Sequence, residues 1–193
     1  MTRSDRPSWC SSSDEKRAAL LALLKQLSYS QRDVTLASGQ AAQFYIDGKQ
    51  TSLHPTGNRL CGELLYELIV DWDVDAVGGP TLGADPLAVA VMYAAHRAGV
   101  DLPAFIVRKE AKSHGTSAWI EGATNLPAGG RLAFVEDVVT TGGSVLRAIE
   151  RARDEGFHVV GVVCLVARNP ELTERFAAAG LSFRSLFDAE DFS

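Results

Sequence analysis

The chain has 193 residues, 46% of them hydrophobic and 22% charged, which is enough apolar material for one sizeable core and too much for a disordered chain. A formal net charge of −5 argues against general binding to nucleic acid or to an anionic membrane, so an anionic ligand must be met by a local cluster of cations. No run approaches the roughly 18 apolar residues of a membrane-spanning helix, and the polar segment 1–13 lacks the apolar region of a signal peptide; both point to a soluble, cytoplasmic protein. The cysteines Cys10, Cys61 and Cys164 are odd in number and far apart, so neither a disulfide framework nor a zinc knuckle is indicated. Cys61 and Cys164 read as small core residues, and Cys10 belongs to the tail.

In chain order, residues 1–13 form a loose tail, and 14–193 form a single domain. Ser12 and Glu15 have the spacing of a capping box and start a helix whose apolar stripe is Leu20, Leu23, Leu24 and Leu27. Segments 34–39 and 43–48 read as a β-pair around a turn. Pro55 suits the first turn of a helix carrying Leu60, Leu64, Leu65 and Leu68. From Asp73 onward, short apolar runs alternate with glycine-rich turns and amphipathic helices, the pattern of an α/β chain with a mostly parallel sheet flanked by helices. Five strands are predicted, over 74–79, 103–109, 131–137, 158–167 and 181–187. Helices separate all of these except the second and third, where 109–130 forms a long polar connection of the kind that carries function.

The strongest local signal is the run from Arg131 to Gly156, an apolar strand that ends in Glu136 and Asp137 and passes through Thr140, Thr141, Gly142, Gly143 and Ser144 into a helix. Small residues there let backbone N–H groups and hydroxyls close around a phosphate at the positive end of a helix. Neither a Walker loop nor a dinucleotide fingerprint is present. Two carboxylates beside a phosphate turn repel each other and need cations or sugar hydroxyls, and a ribose phosphate brings the hydroxyls with the phosphate. The run VEDVVTTGGS resembles the 5-phosphoribosyl-1-diphosphate (PRPP) motif of the type I phosphoribosyltransferases. The resemblance implies that Glu136 and Asp137 meet the ribose hydroxyls, and that Val138, Val139 and the Thr140 to Ser144 turn frame the 5-phosphate.

After the second strand, Arg108, Lys109, Lys112 and His114 form an anion-binding cluster inside an acidic protein. The order RKEAKSHG resembles the catalytic loop of the orotate phosphoribosyltransferases, where it reaches the diphosphate of PRPP. Segments 43–55, 77–88 and 165–168 extend the likeness over almost the whole chain from Leu20.

This family implies a type I phosphoribosyltransferase fold with a five-stranded sheet, a small N-terminal hood from about 14–50 and a flexible catalytic loop over 109–120. It implies Lys109, Lys112, His114 and Asp137 in catalysis. Arg168 would meet the orotate carboxylate region, Thr140 the pyrimidine, and Phe44 with Tyr45 the wall on the base side. Mg²⁺ would be held by PRPP and water without direct protein ligands, in a homodimer with shared sites. In the same family the loop containing Gly78, Gly79 and Gly83 approaches the diphosphate through its backbone. Ala37 and Leu82 stand where many orotate enzymes have lysines that are associated with PRPP. A phosphoribosyltransferase for a purine base, or a non-catalytic regulator that senses PRPP, is the alternative; Arg168 and RKEAKSHG favour orotate.

Overall fold

The structure, a computed structural model, describes residues 12–35, 41–110 and 119–192. The capping box forms as expected: the Ser12 hydroxyl accepts from the Glu15 N–H and the Glu15 carboxylate accepts from the Ser12 N–H, opening α1 (Ser13–Leu23). A wider turn of π type, Leu24–Ser28, extends it and buries Leu24 beside Leu20.

The chain then enters β1 (Tyr29–Thr35), antiparallel to β2 (Ala41–Ile46). Pairing begins at Tyr29, earlier than the sequence pattern indicates, because the Tyr29 ring packs between Phe44 and Phe192 at centroid distances of 5.7 and 6.0 Å. A short helix that the sequence reading did not anticipate, α2 (Gly48–Ser52), starts where the Asp47 carboxylate accepts from the Lys49 N–H. Pro55 opens α3 (Pro55–Ile69), in which Leu60, Leu64 and Leu65 are buried.

The remaining elements are β3 (Ala76–Pro80), α4 (Ala84–Arg97), β4 (Ala104–Val107), β5 (Ile120–Glu121), β6 (Arg131–Val139), α5 (Gly143–Asp154), β7 (His158–Ala167), α6 (Leu172–Ala178) and β8 (Ser182–Asp188). The main sheet has the order β5-β4-β3-β6-β7-β8. All five predicted strands are present and parallel, but the sheet has six: β5 pairs antiparallel with β4 through Val107 and Ile120. This extra strand lies in the long polar connection 109–130, and it forms because Ile120 is buried there with Phe105 and Phe134.

The sheet separates two apolar layers. On one face Val77, Val135 and Leu165 pack with α1, α3 and α4; on the other Phe105, Phe134 and Cys164 pack with α5 and α6. Alternation along β6 places Ala133 and Val135 in the first layer and Leu132 and Phe134 in the second. Because α4 and α5 leave neighbouring strands β3 and β6 toward opposite faces, a crevice opens at the C-terminal ends of those two strands. Cys61 and Cys164 are both buried and free, and burial pushes the Cys61 thiol up to about 12. Among the described residues, no helix is long and apolar enough to cross a membrane.

Candidate active site

The crevice contains the paired acids. Glu136 and Asp137, at the end of the central strand β6, are only 8% and 9% exposed. The Asp137 N–H donates to Glu136 Oε1 at 3.1 Å, and the Val138 N–H donates to Asp137 Oδ1 at 2.8 Å. Two glycines close over them. A Cβ on Gly83 would lie 2.5 Å from Glu136 Oε1 and 2.6 Å from Asp137 Oδ1, and one on Gly48 would lie 2.7 Å from the Asp137 Cβ. Gly83 also leads into α4, so the positive end of that helix begins beside the pair. Burial, reinforced by the neighbouring Asp137 charge, holds the Glu136 carboxyl well above the usual carboxylate range.

Among the described residues, one cation reaches the pair. Lys49 Nζ lies 2.6 Å from Asp47 Oδ1 and 3.8 Å from Asp137 Oδ2. Its hydrogen bond to Asp47, together with the Asp137 charge, raises its pKa against the opposing effect of burial. Burial favours the neutral form of Asp47, but hydrogen bonds from Lys49 and Gln50 outweigh it and keep that carboxyl below its ordinary range.

The turn after β6 is positioned by its glycines. Gly142 has φ 74°, a left-handed conformation, and a Cβ there would lie 3.0 Å from Cζ of Phe176. α5 then begins at Gly143 with no acidic residue in its first turn. Val138, Val139, Thr140, Thr141, Gly143 and Ser144 line a cavity of about 190 Å³, with Glu136 and Arg147 also in its wall.

Arg168 follows β7 and is tied to the turn, its N–H donating to the Val139 carbonyl at 2.8 Å. Its Nη2 donates to the Phe44 carbonyl at 3.1 Å, and its guanidinium sits 4.2 Å from the centre of the Phe44 ring. Burial draws the Arg168 pKa down, and among the described residues it meets no carboxylate. The structure thus brings Phe44, Arg168 and, through Val139, Thr140 together, with Tyr45 half-buried beside Phe44.

The predicted cationic cluster is described in part. Arg108 forms an ion pair with Glu121 at 2.6 Å, and its carbonyl accepts from Arg151 at 2.7 Å. Arg108, Lys109 and Thr81 border a cavity of about 390 Å³. Thr81 donates to Asp85 at 2.9 Å and joins Leu82 through a cis peptide bond, so the 80–83 turn runs from this cavity to the acid pair. Lys112 and His114 lie outside the described residues, as do Ala37 and most of the predicted catalytic loop. Leu82 is 64% exposed.

Three site residues escape the sequence reading. Gly48 falls at the end of the segment 43–48 that reads as a strand, and the sequence pattern singles out neither Lys49 nor Arg147. The Asp-Gly-Lys order after an apolar strand is the available signal for the first two, and a cation one turn after Gly143 is the signal for the third.

The paired acids at the end of β6 and the Thr140 to Ser144 turn into α5 meet at one crevice. The Phosphoribosyl transferase domain family matches residues 49–177, and the chain belongs to that family. Within it the chain is one of the orotate phosphoribosyltransferases, pentosyltransferases of class EC 2.4.2.10. It is 48% identical over 177 residues to the orotate phosphoribosyltransferase of Corynebacterium glutamicum, covering 92% of this chain and 94% of that one. Among solved structures, the orotate phosphoribosyltransferase of Mycobacterium tuberculosis H37Rv in complex with Fe(III) dicitrate is 42% identical with a TM-score of 0.80, covering 92% of this chain and 99% of that one. The same protein in complex with PRPP is 40% identical with a TM-score of 0.75, covering 92% and 98%.

Burial of Glu136 has a cost that depends on pH. A carboxyl whose folded-state pKa is raised binds protons more readily in the folded chain, so its charge carries no penalty below the unfolded value near 4.5 and a growing one as pH rises through the folded value. Glu136→Gln therefore raises the thermal midpoint at neutral and alkaline pH, and the gain shrinks toward nothing as pH falls to that value. Midpoints of the two proteins measured across the range check this; a gain independent of pH would show that charge is not its source.

Proposed function

We propose that the chain transfers the 5-phosphoribosyl group from PRPP to orotate in the cytoplasm, giving orotidine 5′-phosphate and diphosphate for pyrimidine synthesis. The observation that supports this most directly is the convergence of three subsites at the strand ends: the buried acid pair, the phosphate turn beside it, and the Arg168–Phe44 contact joined to that turn through Val139.

In this reading the N–H groups and hydroxyls of Thr140 to Ser144 hold the 5-phosphate, with Val138 and Val139 as the rigid strand end behind them. Glu136 and Asp137 accept hydrogen bonds from the ribose hydroxyls. The orotate ring lies against Phe44 and Tyr45, Thr140 meets the pyrimidine, and Arg168 pairs with the carboxylate. Arg108, Lys109, Lys112 and His114 serve the diphosphate.

The chemistry needs charge stabilisation more than a protein nucleophile. The bond from the anomeric carbon to diphosphate breaks with its electron pair on the leaving group, and N1 of orotate bonds to that carbon as its proton passes to solvent. Asp137 stabilises the positive charge that develops on the ribose ring, while Lys109, Lys112 and His114 neutralise the departing diphosphate. A hard divalent cation suits a site whose acids and substrate present oxygen donors, and Mg²⁺ carried on PRPP would neutralise further charge on the diphosphate.

Incubation with PRPP and Mg²⁺, with orotate, uracil, adenine and xanthine compared as acceptors, tests the assignment. Orotate is the expected acceptor, because uracil leaves the Arg168 guanidinium unpaired. Arg168→Ala should lose selectivity for orotate over uracil while PRPP binding changes little. A preference of the wild type for a purine, or equal loss of both properties, would overturn the reading.

We further propose a homodimer in which Lys112 serves the PRPP bound by the partner subunit's Asp137. Lys112→Ala and Asp137→Asn should each be nearly inactive, a loss on the order of a hundredfold for removing one preorganised contact. Mixed under conditions of subunit exchange, they should recover about a quarter of wild-type activity, since random pairing makes half the dimers mixed, each with one intact site of two. Absence of recovery despite demonstrated exchange would show that each loop serves its own subunit.

A further inference from the structure

We propose that Arg147 is a second phosphate-binding element, a guanidinium that closes the solvent side of the pocket formed by Thr140 to Ser144; this rests on the reading of that pocket as the 5-phosphate site. Arg147 stands one turn into α5, and helical side chains of this length fold back toward the helix N-terminus. Its Nη1 lies 3.6 Å from where a Cβ on Gly143 would stand, and the residue lines the same cavity as the turn.

The electrostatics of α5 run against this placement unless an anion is bound. A helix start carries partial positive charge and favours Asp or Glu in its first turn, whereas α5 has none there and has an arginine one turn on. The other arginines of the helix are in its last turn, where the dipole favours them, and both have partners. Arg151 donates to the Arg108 carbonyl and sits 3.9 Å from the centre of the Trp119 ring, and Arg153 donates to the Ala179 carbonyl at 3.2 Å. Arg147 is exposed, with no hydrogen-bond or ion-pair partner among the described residues.

A phosphate monoester supplies what is missing. Its dianion has three outer oxygens, and the turn faces them from the protein side only. A planar guanidinium approaching from the helix side can take two of the remaining acceptor positions in parallel, a geometry that an ammonium group cannot reproduce. Arg147 would thereby make binding depend on the full phosphate dianion.

The probes are ribose 5-phosphate, which occupies the pocket, and inorganic diphosphate, which does not, each measured by titration calorimetry on the wild type, Arg147→Ala and Arg147→Lys. Loss of one charge-assisted contact should weaken ribose 5-phosphate about tenfold or more in Arg147→Ala, with about half of that loss recovered in Arg147→Lys and diphosphate binding changed by less than about twofold. Unchanged ribose 5-phosphate binding, or equal weakening of both probes, would overturn the proposal. Since both probes are ligands and not acceptors, turnover of a base other than orotate would defeat the proposed acceptor alone and leave the Arg147 result standing.

Discussion

Two carboxylates on consecutive residues of a buried strand end are the constraint around which the site is built. Glu136 and Asp137 lose nearly all their water, and among the described residues the ion pair to them is a long one, from Lys49 to Asp137. The fold meets this with partial means: the start of α4, backbone N–H groups of β6, and Lys49 at 3.8 Å, itself held by Asp47. Each is weaker than a direct ion pair, which leaves the acids available to a ligand that brings hydroxyl donors. Gly48 and Gly83 belong to the same arrangement, because any side chain at either position would occupy the space of the carboxylates.

The sheet explains why the remaining parts meet at this point. Parallel strands deliver all their C-terminal ends to one edge, and helices leaving β3 and β6 on opposite faces open a crevice there. The Thr140 to Ser144 turn then follows directly from the strand that carries the acids, and Arg168 emerges from the neighbouring strand β7, registered to the end of β6 by one hydrogen bond to Val139. The ring that stacks on Arg168 comes from the small β1–β2 pair, far away in sequence, and this contact ties the N-terminal pair to the end of β7.

What was legible in the sequence was local. Glu136, Asp137 and the Thr140 to Ser144 turn lie within one strand–turn–helix unit, so a short window of sequence already shows them side by side. The five long strands show as apolar runs. β5 does not, because two residues inside a polar connection have no periodicity, and only the packing of Ile120 on the sheet reveals them. Gly48 and Lys49 were illegible for a different reason: their significance lies in their approach to Asp137, which the fold creates and no short window contains. Arg168 illustrates the intermediate case. Without a family pattern it is an ordinary arginine, and in the structure it is a half-buried cation stacked on Phe44.

The central claim is that the acid pair and the turn together hold one ribose 5-phosphate group. A crystal structure of the protein with PRPP tests it most directly. The account predicts the 5-phosphate within hydrogen-bonding distance of the Thr140 to Ser144 backbone and the ribose hydroxyls donating to Glu136 and Asp137. A phosphate seated instead beside Arg108 and Lys109, with the sugar out of reach of both carboxylates, would contradict it.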